Sequence, residues 1–356
     1  MALLEKQFTK DCYTAVFTVG EEFHNIRLDQ FLLNFYENFS REALKKKIYE
    51  GDITIKGRDH KLRPSTKVHY KDIITFNIFN TTHENEFWRG GLLTLELDPA
   101  IVYEDNDLLV ISKPPFMATH PTGRHLFNCA TVYFETKLKS TVHSIHRIDR
   151  ETSGILLLGK NPKSASLLTT EFEENRVRKA YFFIAKSNLP KMSLEANERL
   201  GGKESGLERV YVNHYPEQSK EGKRAKTYFK ILHQENGYAL GLAFPVTGRQ
   251  HQIRVHAMAH GFPLIGDKLY LGSYPLFQKF KDNIAQEDDY DFMELPRHAL
   301  HSIGINISYL GDRKTFIAPM AKDLRDWIGS KLSLDFNFLE KEIKSSVEGY
   351  FKSELF

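Results

Sequence analysis

The chain has 356 residues, 41% of them hydrophobic and 27% charged, with a formal net charge of +3. That composition excludes a disordered or fibrous chain, and the length exceeds one ordinary core of about 100–200 residues, so a large domain with a small appendage is expected. A charge so near balance does not by itself argue for nucleic acid; local basic patches decide that. The two cysteines, Cys12 and Cys129, match no metal or redox spacing. A disulfide framework is excluded, which fits a reducing cytoplasm. Residues Met1 to Val19 mix Lys, Glu and Asp with apolar residues and lack the apolar run of a signal peptide. The aliphatic run Ile155 to Leu158 is far shorter than the roughly 20 residues that span a bilayer. The expectation is a soluble cytoplasmic protein with no membrane attachment.

After an N-terminal extension (1–19), residues 20–79 read as a compact α+β unit. Leu28, Phe31, Leu32 and Phe35 recur at helical spacing. Ser40 is a good N-cap for a second helix over Arg41 to Tyr49, and Glu50-Gly51-Asp52 ends it. Short strands are expected at Ile53 to Lys56, Lys67 to Tyr70 and Ile73 to Ile78. Residues 80–94 carry no pattern and read as a linker. From there the texture changes. Ile101 to Glu104, Asp105-Asn-Asp and Leu108 to Ser112 give a strand, turn and strand, the pattern of a hairpin. Further strands are expected near Gly154 to Leu158, Tyr181 to Ala185, Ala225 to Leu232 and Tyr238 to Phe244. Helices interrupt at about Lys163 to Asn175 and Gln252 to His260. The whole is an α+β fold: a mostly antiparallel mixed-sheet catalytic domain over 95–330. A charged, helical tail covers 331–356, and the acidic stretch Asp282 to Glu294 reads as a surface loop.

The most informative segment is His146-Arg-Ile-Asp-Arg-Glu-Thr-Ser-Gly-Ile-Leu-Leu-Leu. A dense polar turn precedes an aliphatic strand, which aims a carboxylate outward from a rigid edge. An arginine nearby holds an aspartate ionised, and an ionised carboxylate can act as nucleophile or base at neutral pH. The same residues also suit a structural ion pair that caps the turn.

That segment resembles the signature of the RluA-type pseudouridine synthases, with Ile148 for the usual leucine. The resemblance continues in order along roughly residues 95–320. Val102-Tyr-Glu-Asp-Asn-Asp-Leu-Leu-Val-Ile-Ser-Lys-Pro is similar to the family's opening motif, except that Ser112 replaces an asparagine and Pro115-Phe116 a small residue and glycine. Lys179-Ala-Tyr181, Gly222-Lys-Arg-Ala-Lys-Thr227 and Thr247-Gly-Arg-Gln-His-Gln-Ile-Arg-Val-His256 match further blocks, with Gln250 where Thr or Lys is typical. Pro263-Leu-Ile-Gly-Asp267 with Tyr270, then Arg297, Leu300 and His301, complete the series. The N-terminal unit resembles an S4-like RNA-binding domain, through Arg27-Leu-Asp-Gln-Phe-Leu and Ser40 to Ile55. Two departures stand out, Lys56-Gly57 for Asn-Gly and Lys71-Asp72 for Gly-Asp, and loss of the second glycine is expected to distort a turn.

The resemblance implies an isomerase that breaks the N1–C1′ bond of uridine, turns the uracil and rejoins it through C5. Its substrate is structured RNA, ribosomal RNA of the large subunit in first place and transfer RNA in second. A stacked base is out of reach, so the nucleotide must be flipped out. Asp149 is then the catalytic residue, and Arg147 fills the vacated stack, unless it pairs with Asp149 or a phosphate. Tyr181 lies against the flipped uracil; Arg254 is the first choice to keep Asp149 ionised, and Arg249 the second, better suited to bind phosphate or brace its loop. His251 and His256 support by hydrogen bonds and are not bases. Arg41, Lys45, Lys46 and Lys47 form a cationic helix face suited to phosphates, or a merely solvated one. An isomerisation requires no metal or cofactor, and no obligatory protein partner is expected. His256-Ala-Met-Ala-His260 has zinc-compatible spacing but lacks the glutamate of the metalloprotease motif. A non-catalytic RNA-binding or ribosome-assembly factor is the rival reading, and the presence of Asp149, Tyr181 and Arg254 speaks against it.

Overall fold

The computed structural model describes residues 2–8, 12–34, 40–58, 60–79, 84–122, 125–189, 192–202 and 210–353. Phe35, residues 80–83 of the expected linker and residues 354–356 of the expected tail lie outside the described residues. The chain divides into two compact units. Unit 1 comprises Met1–Asn85 with His120–Ser140, and unit 2 comprises Glu86–Thr119 with Thr141–Phe356.

Unit 1 is built on a four-stranded antiparallel sheet. Its strands are β1 (Ala2–Phe8), β2 (Cys12–Thr18), β3 (Ile53–Ile55) and β4 (Ile73–Phe79), in the order β1-β2-β4-β3. The first two strands therefore make residues before 20 part of the sheet, where the sequence suggested an extension. Two helices pack on it, α1 (Leu28–Leu33) and α2 (Arg41–Glu50). Ser40 caps α2 by accepting from the Ala43 amide, and Gly51, at φ +87°, ends it, as a left-handed C-terminal glycine does. Leu28, Phe31, Leu44 and Ile48 close over Ile53, Ile74 and Phe76. A third helix, α3 (Ala130–Leu138), belongs to the His120–Ser140 segment. Lys67 to Tyr70 is no strand: it makes one isolated bridge, Arg27 to Lys67. The turn at Lys71 is not distorted. The lysine adopts the glycine's conformation, with φ +68°, and the Lys71 and Asp72 amides still donate to Val19 and His69. A side chain in that region costs about 1–2 kcal/mol, so the departure is absorbed as strain.

Unit 2 opens with a small hairpin, β5 (Phe87–Trp88) and β6 (Gly91–Leu92). Its main sheet contains β7 (Ala100–Glu104), β8 (Leu108–Lys113), β9 (His143–Ser144), β10 (Ser153–Gly159), β11 (Arg178–Lys186) and β12 (Ser193–Ala196). A separate pair, β13 (Arg199–Gly202) and β14 (Val212–Tyr215), follows. Then come β15 (Thr227–Glu235), β16 (Tyr238–Pro245), β17 (Leu300–Tyr309) and β18 (Asp312–Ile317). The order is β12-β15-β16-β11-β17-β10-β8-β7, with β9 on β10 and β18 on β17. Among the described residues only β10 and β17 run parallel, through Ser153–His301 and Gly154–Ser302. β10 is buried along its whole length, as its Ile-Leu-Leu-Leu run requires. At its head Gly154 takes φ +103°, and a Cβ there would lie 2.1 Å from the Ser302 carbonyl oxygen. Glycine is obligatory at that join.

Among the described residues, five α-helices before the C-terminal one cover unit 2 beside its strands, together with a π-helical turn described with the site. They are α4 (Pro162–Glu173), α5 (Gln252–Ala259), α6 (Tyr274–Lys281), α7 (Glu287–Met293) and α8 (Lys322–Lys331). The acidic stretch Asp282 to Glu294, read as a loop, instead holds the turn after α6 and the helix α7. Trp88 inserts between Phe280 and Tyr290, at ring distances of 5.9 and 4.8 Å. Hydrophobic residues are sparse there, and these aromatic contacts made over long sequence separation are invisible to periodicity. The expected tail contains α9 (Phe336–Lys352), whose Leu339, Ile343, Val347 and Phe351 are buried in the core beside Phe182, Leu242 and Trp327. Four such side chains are worth about 1.5–3 kcal/mol each at full burial; the helix is part of the domain. Phe116, at the family's glycine position, takes φ +64° and lies under the Arg150 guanidinium, 5.5 Å away. Among the described residues no helix is long and apolar enough to cross a membrane.

Candidate active site

The turn between β9 and β10 carries Asp149. Each residue after it is tied down. Arg150 pairs with Glu86 at 2.7 Å. Glu151 meets Lys268 at 3.2 Å and His298 Nδ1 at 3.2 Å, while the Thr152 hydroxyl contacts His298 Nε2 at 2.8 Å. An ionised Glu151 can only accept, so His298 donates through Nδ1 and accepts from Thr152 through Nε2. The Thr152 amide also donates to the Asp149 carbonyl. Behind them Arg297, fully buried, donates to the carbonyls of Glu151, His298 and Leu300 and pairs with Asp323. The turn that carries Asp149 is thus fixed by the last of the sequence motifs.

Asp149 itself accepts from Arg254 Nη1 at 3.0 Å. The same guanidinium grips Asp267 through Nε at 2.6 Å and Nη2 at 2.8 Å. Asp267 is fully buried and also accepts from the amides of Leu269 and Tyr270, at the start of a π-helical turn, Lys268–Gly272. Such turns are rare and concentrate at functional sites. The Tyr270 ring lies 5.0 Å from the guanidinium. Its hydroxyl accepts from the Val212 amide and sits 2.9 Å from His251 Nδ1, the acceptor within reach of its proton. His251 then presents Nε2–H, which lies 4.0 Å from Asp149 Oδ2. Burial pushes the Asp149 carboxyl up, but the facing His251 and His298, once protonated at acid pH, and the Arg254 guanidinium at every pH outweigh it and hold it well below the usual carboxylate range. Burial lowers His251 to about 4, so its imidazole is neutral at pH 7.

Of these groups Asp149, His251 and Arg254 line an open cleft of about 530 Å³. Tyr181, on β11, stands on its wall, buried, and burial raises its hydroxyl to about 12, with the Asp149 charge adding to the shift. Lys179 donates to the Thr247 carbonyl at 3.1 Å; burial, then the charge of Arg249, lowers its ammonium to about 8. Arg249 does not reach Asp149 and donates to the Arg224 carbonyl instead. Arg147 is exposed on the cleft and makes no ion pair among the described residues. It therefore does not neutralise Asp149. His146 is no base either: its Nε2 accepts from the Leu157 amide, its ring stacks on Phe172, and burial lowers it to about 3.

Two residues escaped the sequence reading. Gln252 makes four hydrogen bonds, accepting from Thr247 Oγ1 and the Arg249 amide and donating to the Lys226 carbonyl and Thr227 Oγ1. It ties the 247–249 loop to the block around Lys226. Asp267 was visible only as a matched position; its role needs the fold that brings it to Arg254. His256 contacts Thr227 Oγ1 and the Glu198 carbonyl, and His260 lies 3.1 Å from Glu198 Oε1. The four cations of α2 lie in unit 1, outside the cleft. Each has a carboxylate partner: Arg41 with Asp29, Lys45 with Glu42, Lys46 with Glu50 and Lys47 with Asp52.

Comparison with known proteins bears on the same residues. The family described as RNA pseudouridylate synthase matches residues 107–259. A ribosomal large subunit pseudouridine synthase C of Buchnera aphidicola is 29% identical over 332 residues, 90% of this chain and 98% of that protein. The protein of the same name from Rickettsia prowazekii is 30% identical over 68% of this chain and 82% of its own length. In fold, the human RNA pseudouridylate synthase domain containing 1 covers 70% of this chain and 95% of its own, with a TM-score of 0.53 at 20% identity. The chain belongs to the RluA-type family of RNA pseudouridine synthases.

Proposed function

We propose that this chain converts specific uridines of large-subunit ribosomal RNA to pseudouridine, with Asp149 as the catalytic carboxylate. The observation that carries this reading is a carboxylate held ionised by Arg254 at the floor of an open cleft. The RNA target is proposed from the names of the relatives. Unit 1 serves as an S4-like RNA-binding domain. The chain has only two cysteines, Cys12 and Cys129, far apart and at no metal or redox spacing, which fits a cytoplasmic location.

The target nucleotide is flipped into the cleft, at a cost of a few kcal/mol. Arg147, exposed and without an ion pair among the described residues, takes its place in the stack. Tyr181 packs against the uracil, and its hydroxyl stays protonated at neutral pH. Asp149 attacks or stabilises the nucleotide while the N1–C1′ bond opens, and C5 returns to C1′; any bond formed to the Asp149 carboxylate breaks again before the product leaves, so the carboxylate is regenerated. The C5 proton leaves and N1 gains one, so the reaction is balanced without a co-reactant.

The test is release of tritium from C5-tritiated uridine in unmodified ribosomal RNA and, separately, transfer RNA, with Asp149→Ala as control. Release from ribosomal RNA by the wild type alone is expected. Release from transfer RNA alone would reassign the substrate, and release by Asp149→Ala would remove Asp149 from the central role.

A further inference from the structure

The cations of α2 are each matched by a carboxylate, Asp29 serving both Arg41 and Arg27. The neighbouring segment 56–72 of unit 1 is not: it carries six cations, Lys56, Arg58, Lys61, Arg63, Lys67 and Lys71, against Asp59 and Asp72. Asp72 is taken by Arg58 at 2.5 Å. Among the described residues the other five cations have no carboxylate partner, and all five are exposed.

The segment is folded back on itself. Arg58 Nη1 donates to the Lys67 carbonyl, and its Nη2 lies 2.6 Å from His69 Nδ1. The Lys56 amide donates to the Ile73 carbonyl. This frame holds an aromatic group at the surface. The Tyr70 amide donates to His24 Nδ1, the His24 and His69 rings lie 5.6 Å apart, and the Tyr70 side chain is 49% exposed. Beside it, Lys71 occupies the left-handed conformation of a glycine, and its ammonium stands 5.2 Å from the Tyr70 ring. Folding favours glycine at this position. A lysine held there against its own backbone preference is the kind of strain that accompanies function. Exposed aromatics among unpaired cations suit a strand whose bases stack and whose phosphates need neutralising.

We propose that the Tyr70–Lys71 turn is a stacking platform for an unpaired base of the RNA substrate, with Lys56, Lys61, Arg63 and Lys67 holding the flanking phosphates. This places the main RNA contact of unit 1 on the 56–72 segment and not on α2. The inference rests on the reading of the chain as an RNA enzyme.

The test uses the full chain carrying Asp149→Asn and two fluorescein-labelled probes, a stem–loop RNA with an unpaired uridine loop and a fully paired RNA duplex of equal length. Tyr70→Ala is expected to weaken stem–loop binding about tenfold and leave the duplex unchanged, with Tyr70→Phe retaining affinity. Combining Lys61→Gln, Arg63→Gln and Lys67→Gln should lower the salt slope by about 2, while Lys45→Gln, Lys46→Gln and Lys47→Gln together change affinity by less than about twofold. Lys71→Gly separates folding from binding, since it should raise resistance to urea and still weaken the complex. A larger loss from the α2 triple than from the loop triple, or no effect of Tyr70→Ala on the stem–loop, would overturn the proposal. Tritium release by the wild type is scored separately. Loop-dependent binding without release sinks the enzymatic reading and leaves the platform; release without loop dependence does the reverse.

Discussion

Arg254 and Arg41 each meet a fully buried aspartate, Asp267 in unit 2 and Asp29 in unit 1. The ratio of partners differs. Asp29 is shared by two guanidiniums, Arg27 and Arg41, and Arg41 is itself 48% exposed. In unit 2 one guanidinium, 7% exposed, is shared by two carboxylates, and the second of these, Asp149, is 26% exposed to the cleft. Unit 1 thus uses its carboxylate to anchor α1 to α2. Unit 2 delivers a surplus negative charge to an open surface and prevents it from picking up a proton. The residue types are the same; stoichiometry and burial decide whether they make structure or chemistry.

The sharpest way to break this comparison is to remove the surplus charge. Asp149→Asn keeps the shape and should lower turnover by about 10³-fold or more with RNA affinity within about twofold, read by single-turnover tritium release and filter binding. Appreciable residual turnover would return Asp149 to a structural role. Next is Arg254→Gln, which leaves buried Asp267 without its counter-charge and should cost about 3–5 kcal/mol in urea unfolding. The matching change in unit 1, Arg41→Gln, leaves Arg27 on Asp29 and should cost only about 1 kcal/mol. Equal losses from the two variants would mean that the shared-partner argument is wrong.

Lys179 gives a smaller effect through pH. Its ammonium is lowered from 10.5 to about 8, so between those values the unfolded chain binds more protons and this group makes stability rise with pH. The cleft loses the same charge as pH climbs through about 8. KM for RNA should therefore increase a few-fold from pH 7 to 9 in the wild type and stay flat in Lys179→Arg, whose guanidinium remains charged. A parallel rise in both would assign the change to another group.

Much of this was readable beforehand where local physics decides. Ser40 and Gly51 bound α2 because caps are written in adjacent residues, and the strand at Ile155 to Leu158 was set by its apolar run. The motif carrying Asp149 and the preference for Arg254 over Arg249 came from the resemblance, and the geometry agrees that Arg254 is the partner. What escaped depends on contacts made at a distance. β17, Leu-His-Ser-Ile-Gly-Ile-Asn-Ile-Ser-Tyr, looks half polar, yet nearly all of it is buried, because His301 contacts Ser153 Oγ and Asn306 donates to Thr315. The Trp88 contacts with α6 and α7 join residues roughly two hundred apart, and the seating of α9 depends on a core assembled by other elements. No window along the chain contains these pairs.

The placement of β17 has a consequence during synthesis. It enters the sheet between β11 and β10, both more than a hundred residues upstream. Until it arrives, the apolar edges of Ser153–Gly159 and Arg178–Lys186 lack their shared partner, and unpaired edges invite pairing with other chains. At roughly 5–20 residues per second, that exposure lasts on the order of 6–30 s per molecule. In that interval the two edges of Ser153–Gly159 and Arg178–Lys186 that β17 will cover are the part of the sheet most open to pairing with another chain.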